Sequence, residues 1–222
     1  MALRKYGTCF FEQYAHISLA RLLGSEFDDL LNRDRPDLQS SDGRRIGIEV
    51  TRAMEESKHV ADQLLKEISG IIPMDEAPDE LDEIVENGYA YGLQHGRYIG
   101  RKELDYWRLA LPLKRILESK VSKAGNGFYG TFDKMGLYVF CKDPLNDADA
   151  IKAYRYVMGL QKYQDIRYDR LFLSETTNLY VCNLDDGLSE TSRLMRYPIS
   201  REQRQEFYLE AIRLQLTSDK HP

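Results

Sequence analysis

Apolar and polar positions along the chain alternate between a helical and a strand-like period. Residues 8 to 23 place Phe10, Phe11, Tyr14 and Ile17 at helical spacing, follow them with a dense run from Leu19 to Leu23, and stop at Gly24, which predicts a first helix. The next stretch predicts a short strand near Phe27 to Leu31, a second around Pro36 to Gln39, a Ser-Ser-Asp-Gly turn, and a third strand from Arg44 to Thr51. Asp42-Gly43 is the strongest hairpin signal in the chain. Strand side chains alternate between faces, so Ile46, Ile48 and Val50 are expected on one side and Gly47, Glu49 and Thr51 on the other, with Glu49 displayed and its apolar neighbours anchoring it.

A helix is expected from Ser57 to Ile71. Residues 73 to 108, opened by the acidic, proline-bearing run MDEAPDELDEIVENG, are expected to be an insertion into a single domain. The second half of this insertion interleaves Tyr89, Tyr91, Tyr98, Tyr106 and Trp107 with Arg97, Arg101, Lys102 and Arg108. That composition suits a surface that stacks bases and touches phosphates, although tyrosine-rich packing against the parent domain is the plainer reading and the one favoured here.

Pro112 predicts the start of a helix carrying Leu113, Ile116, Leu117 and Val121, closed by AGNGFYG. GLYVFC, Gly136 to Cys141, reads as a buried strand, and Asn146 to Gln161 as a helix, with Asp143-Pro144 as the turn between them. Arg170 to Ser174 and Asn178 to Cys182 form a predicted hairpin. A terminal helix from Arg201 to Leu216 carries Phe207, Ala211 and Leu214 on its apolar face. The whole reads as an α/β fold, a mixed sheet flanked by helices with a helical or irregular insertion.

Composition narrows the setting. The net charge of −5 has the wrong sign for indiscriminate coating of nucleic acid, so local basic patches must carry any such contact. No stretch approaches the roughly 20 apolar residues of a membrane span. Cys9, Cys141 and Cys182 are dispersed among apolar neighbours and read as buried thiols in a reducing, cytoplasmic setting rather than as a disulfide framework or a zinc site.

Candidate chemistry centres on Asp37 and Glu49, which bracket the predicted hairpin so that two carboxylates on neighbouring strands can converge on a hard divalent cation. Through Pro36-Asp37 followed by Glu49-Val50-Thr51 within IGIEVT, and a preceding helix bearing Glu12, the chain resembles the PD-(D/E)XK nuclease-like superfamily over roughly residues 8 to 71 and 112 to 182. The resemblance implies a restriction-endonuclease-like core, magnesium or manganese on Asp37 and Glu49 with Glu12 completing the shell, and hydrolysis of phosphodiester bonds in DNA or RNA. It also implies a lysine two places after the second acid. Thr51 stands there instead, and a hydroxyl carries no positive charge to a developing anion.

Lys120, on the helix before the GLYVFC strand, is the candidate for a relocated lysine, with Lys114 and Lys123 behind it, and Arg52 is the candidate clamp for a neighbouring phosphate. The alternative is a degenerate nuclease fold that binds nucleic acid or a protein partner without cutting. Glu12 and His16 also fit an ordinary polar helix face. The glycines at 125, 127 and 130 follow a helix and precede a strand, which makes them a helix stop rather than a phosphate loop.

Overall fold

The computed structural model describes residues 8–53, 93–94, 97–98, 101–141, 144–184 and 193–218. They fall into two compact units, Met1–Arg52 with Leu117–Pro222, and Ala53–Ile116. The second unit contains a short antiparallel pair, β4 (Leu93–Gln94) and β5 (Arg97–Tyr98), and the opening turns of α2 (Arg101–Gly125), whose C-terminal part belongs to the first unit. The expected insertion at 73–108 falls within this unit, and the expected helix at 57–71 lies outside the described residues, as does the turn at Asp143.

The first unit is an α/β structure on a seven-stranded mixed sheet. In chain order its elements are α1 (Thr8–Leu23), β1 (Leu30–Asn32), β2 (Leu38–Ser40), β3 (Ile46–Ala53), the end of α2, β6 (Lys134–Cys141), α3 (Asp147–Leu160), β7 (Arg170–Ser174), β8 (Asn178–Asn183), β9 (Leu194–Pro198) and α4 (Arg201–Ser218). The strands lie in the order β1-β2-β3-β6-β7-β8-β9. β6 and β7 are parallel, joined through α3 as a parallel pair requires, while β1–β2, β2–β3, β7–β8 and β8–β9 are antiparallel.

Period-two alternation sorts the sheet into two covered faces. Ile46, Ile48, Tyr138, Phe172, Leu179 and Val181 join Phe10, Ile17 and Leu19 of α1 and Phe207 and Ala211 of α4 in one core. The intervening residues Leu137, Val139, Leu171, Leu173, Tyr180 and Cys182 are also buried, as are Leu117, Val121 and Ala124 of α2 and Ala150, Ala153 and Val157 of α3. Tyr180 and Cys182 reach the carbonyls of Leu145 and Ala150 at the α3 side. Burial pushes the Cys182 thiol up to about 12, so it stays protonated. Cys141 is only half-buried.

Local signals place the ends of these elements. Asn146 caps α3, its side chain accepting from Asp149 N at 3.0 Å while the Asp149 carboxylate reaches back to the cap. At the end of α2, Gly127 takes φ +72°, Gly127 N bonds Ala124 O and Phe128 N bonds Lys123 O, which is a Schellman stop. Gly43 turns the β2–β3 hairpin at φ +66°, and Asp42 Oδ1 accepts from Ser40 Oγ and from the amides of Arg44 and Arg45.

Several expectations need correction. The strand expected near Phe27 to Leu31 is a 3₁₀ turn at Ser25–Phe27 followed by a strand only at Leu30–Asn32, because Phe27 is drawn into the core and the chain turns to deliver it. Asp37 lies in the loop just before β2 rather than on the strand. The helix expected to open at Pro112 runs instead from Arg101 through that proline to Gly125. Leu214 is 37% exposed, unlike Phe207 and Ala211. β9 went unpredicted because its residues are mostly exposed and it is an edge strand, with little alternation to read.

Candidate functional site

Glu49 lies in the middle of β3 on the face opposite Ile48, and that face is covered, so the carboxylate is buried at 7% exposure rather than displayed as the strand pattern suggested. The cover is α2. Its Leu117, Val121 and Ala124 form a buried stripe, and Lys120, which shares that face, is carried to the sheet, where its Nζ lies 2.6 Å from Glu49 Oε1. A lysine inside an apolar helical stripe was the signal available in the sequence. Its partner was not legible, since the two residues are joined only by the fold.

Asp37 is set by its loop. Arg33 N donates to Asp37 O at 2.8 Å, and the buried Gln39 amide donates to Pro36 O at 3.1 Å and to Asp34 O at 3.3 Å, holding the loop against β2. The Asp37 carboxylate then accepts from Val50 N at 2.7 Å, which ties it to the strand position next to Glu49. Gly47 makes room for this. A Cβ there would sit 2.8 Å from the Phe132 ring and 2.9 Å from Pro36 Cγ, so the β3 backbone can lie against Pro36 only because position 47 has no side chain.

The electrostatics couple these groups. Burial, and then the negative charge of Glu49, push the Asp37 carboxyl up to about 7 despite the Val50 amide, with Glu12 adding to the rise and Lys120 opposing it. Glu12, on α1 in the opposite layer, is half-buried and also raised, first by burial and then by Glu49, while the Asn32 amide that bonds it pulls the other way. The Glu49 charge thus acts on both Asp37 and Glu12, although among the described residues no group of three Asp, Glu, His or Cys side chains closes into a compact ligand set. His16 turns away to Phe27 O at 3.0 Å.

Two tyrosines that the sequence reading passed over line the same place. Tyr168 Oη donates to the Lys120 carbonyl at 3.3 Å, and its backbone N and O are held by the Gln161 amide at 3.1 and 3.0 Å. Tyr129, only 3% exposed, lies beside it with ring centroids 6.5 Å apart, and its buried hydroxyl makes no hydrogen bond within 3.5 Å, the Tyr168 hydroxyl and the Glu49 carboxylate being the polar groups that act on it. Burial and then the Glu49 charge hold the Tyr129 hydroxyl well above its usual range, so it remains a proton donor facing the carboxylates. An orphaned buried hydroxyl costs about 1–3 kcal/mol and calls for a partner.

The remaining candidates fall elsewhere. The Arg52 guanidinium lies over the Phe11 ring at 4.4 Å, in the α1 layer, so it does not share the Glu49 face. Lys114 belongs to the second unit, where Arg97 lies on β5 and Arg101 and Lys102 open α2. Lys123 is exposed, near Phe128. No helix among the described residues is long and apolar enough to cross a membrane. No protein-family description, curated protein or solved structure matches this chain.

Proposed function

We propose that the chain is a divalent-cation-dependent nuclease-like protein that hydrolyses phosphodiester bonds in DNA or RNA, with a restriction-endonuclease-like core, and with magnesium or manganese held by Asp37 and Glu49 and supported by Glu12. The observation that carries this reading is the placement of Asp37 and Glu12 within reach of the buried Glu49 charge, which raises both carboxyls, beside the buried Tyr129 hydroxyl, an arrangement that a cation and its attendant oxygens would relieve. The donor set fits a hard cation. Asp37 engages the Val50 amide through Oδ2 and Glu49 engages Lys120 through Oε1, so each has a second oxygen to offer.

Asp37 and Glu49 would hold the divalent cation, which would supply a lowered pKa for a water and polarisation of a phosphate oxygen. The chain's own residues do the rest. Lys120 supplies the positive charge that Thr51 cannot, from a helix instead of the strand, and its ammonium stabilises negative charge developing on the phosphate. The Val50 amide fixes the orientation of Asp37, and Glu49 holds Lys120 at the site. Tyr129 offers a hydrogen bond to an oxygen arriving next to Glu49.

Calorimetric titration of magnesium and manganese into the wild type, Asp37→Ala and Glu49→Ala, followed by incubation with mixed DNA and RNA, tests the proposal. Cation binding and cleavage in the wild type, both lost in each variant, are expected. A wild type that binds no cation sinks it.

One observation favours a second reading. The Glu49–Lys120 pair neutralises the buried Glu49 charge without any cation, as a fold that had given up cleavage and kept binding to nucleic acid or a protein would need. Binding that survives both alanine substitutions and chelation of cations, with no cleavage, selects it.

A further inference from the structure

The negative net charge requires a local cationic patch for any nucleic-acid contact, and the first unit presents one at Lys123 and at Arg35, two residues before Asp37 in the same loop. Phe128 is 47% exposed, the Arg35 guanidinium lies 5.1 Å from its ring centroid, and the Lys123 ammonium lies 5.4 Å from it. We propose that Phe128, with Arg35 and Lys123, is a stacking platform that receives an unpaired base of a single-stranded nucleic acid next to the carboxylate site. This rests on the reading of that site as one that acts on nucleic acid, and it narrows the substrate to strands with accessible base faces.

Two chain connections tie the platform to the site. Arg35 precedes Pro36 and Asp37 in the loop that carries the carboxylate, and Phe128 precedes Tyr129, whose hydroxyl faces Glu49. A strand whose base rests on Phe128 thus meets the two chain segments that carry Asp37 and Tyr129. The ring is held for this purpose. Phe128 N is bonded to Lys123 O in the Schellman stop of α2, and the ring stands edge-on to Tyr129 with centroids 5.2 Å apart.

The Schellman motif by itself accounts for contact between Phe128 and Lys123, since it brings those two positions together. It does not account for Arg35, which arrives from the β1–β2 loop with its side chain 61% exposed. Among the described residues the ion pair of Arg35 is with Asp34 at 3.4 Å, itself 85% exposed, and a pair so solvated leaves the guanidinium available. Both cations sit on long exposed stems, so either can yield a ring face to a base and turn to the adjoining phosphate. A duplex offers no free base face to such a ring, whereas a single strand offers one at every nucleotide.

Fluorescence anisotropy of the full chain with a labelled mixed-sequence single strand, as DNA and as RNA, and with the matching duplex, all in EDTA, tests this without involving cation or cleavage. The wild type is expected to favour the single strand. Phe128→Ala weakens that binding by about five- to a hundredfold, and Phe128→Trp retains it. Arg35→Ala and Lys123→Ala each flatten the salt dependence by about 0.7 in the log–log slope.

A wild type that binds duplex as well as single strand, or neither, overturns the platform, as does a Phe128→Ala variant that binds like the wild type. Strand binding without cleavage under any cation overturns the hydrolytic reading alone. Cation-dependent cleavage with Phe128→Ala unaffected in binding overturns the platform alone.

Discussion

At the scale of single residues, Asp37 is the carboxyl whose proton the fold holds furthest above its ordinary range among the described acids. Its carboxyl rises from 3.8 to about 7, so the folded protein holds a proton there that the unfolded chain releases. The sign follows from linkage. Between those two values the native state binds more protons, so stability without cations falls as pH rises from about 4 to 7 and levels off above. A cation must displace that proton. Magnesium or manganese affinity is therefore expected to climb about tenfold per pH unit below 7 and to plateau above it, checked by calorimetry in buffers of different ionisation enthalpy, which also reports the released proton. Asp37→Asn should remove the fall in stability over the same window.

Lys120 and Tyr129 make opposite predictions at this scale. Lys120→Met leaves the Glu49 carboxylate buried without its ion-pair partner, which should cost about 3 kcal/mol in chelator, and saturating manganese should restore part of it. Denaturant melts with and without the cation measure both. Tyr129→Phe removes a hydroxyl that has no partner, so the melt should be unchanged or slightly raised while cleavage falls at least tenfold. A loss of stability in that variant would show that the hydroxyl is structural.

At the scale of elements, the site depends on how closely β3 lies against the Pro36–Asp37 loop. Gly47→Ala puts a methyl within 2.8 Å of Phe132 and 2.9 Å of Pro36. It should cost about 1–3 kcal/mol and displace the loop, weakening cation binding together with stability, as melts and calorimetry on one sample would show. The same segment explains how Asp37 left its expected strand. Pro36 has no amide hydrogen for the ladder, Gln39 satisfies the loop carbonyls instead, and pairing of β2 with β3 begins only at Leu38 opposite Ile48.

At the scale of the whole molecule, the sheet is protected from its centre outwards. Residues 135–139 and 171–173 are buried in β6 and β7, covered on both faces, while two of the three residues of β1 are exposed at the edge. Hydrogen exchange should be slowest at the amides of Leu137 to Val139 and Leu171 to Leu173 and faster on the short edge strand β1.

The pattern of apolar residues, read locally, sufficed for α1, the β2–β3 hairpin, the strand through GLYVFC, α3, the β7–β8 pair and α4, because each is a continuous apolar run or a one-sided stripe bounded by residues that turn or cap the chain. The sequence also singled out Asp37, Glu49 and Lys120 as candidates. Tertiary structure alone decided that Glu49 is buried, that Lys120 reaches it, that Glu12 comes from the opposite layer and that Tyr129 has an orphaned hydroxyl. Those facts depend on which helix covers which face of the sheet and on pairs far apart in the chain, and local periodicity carries no information about either.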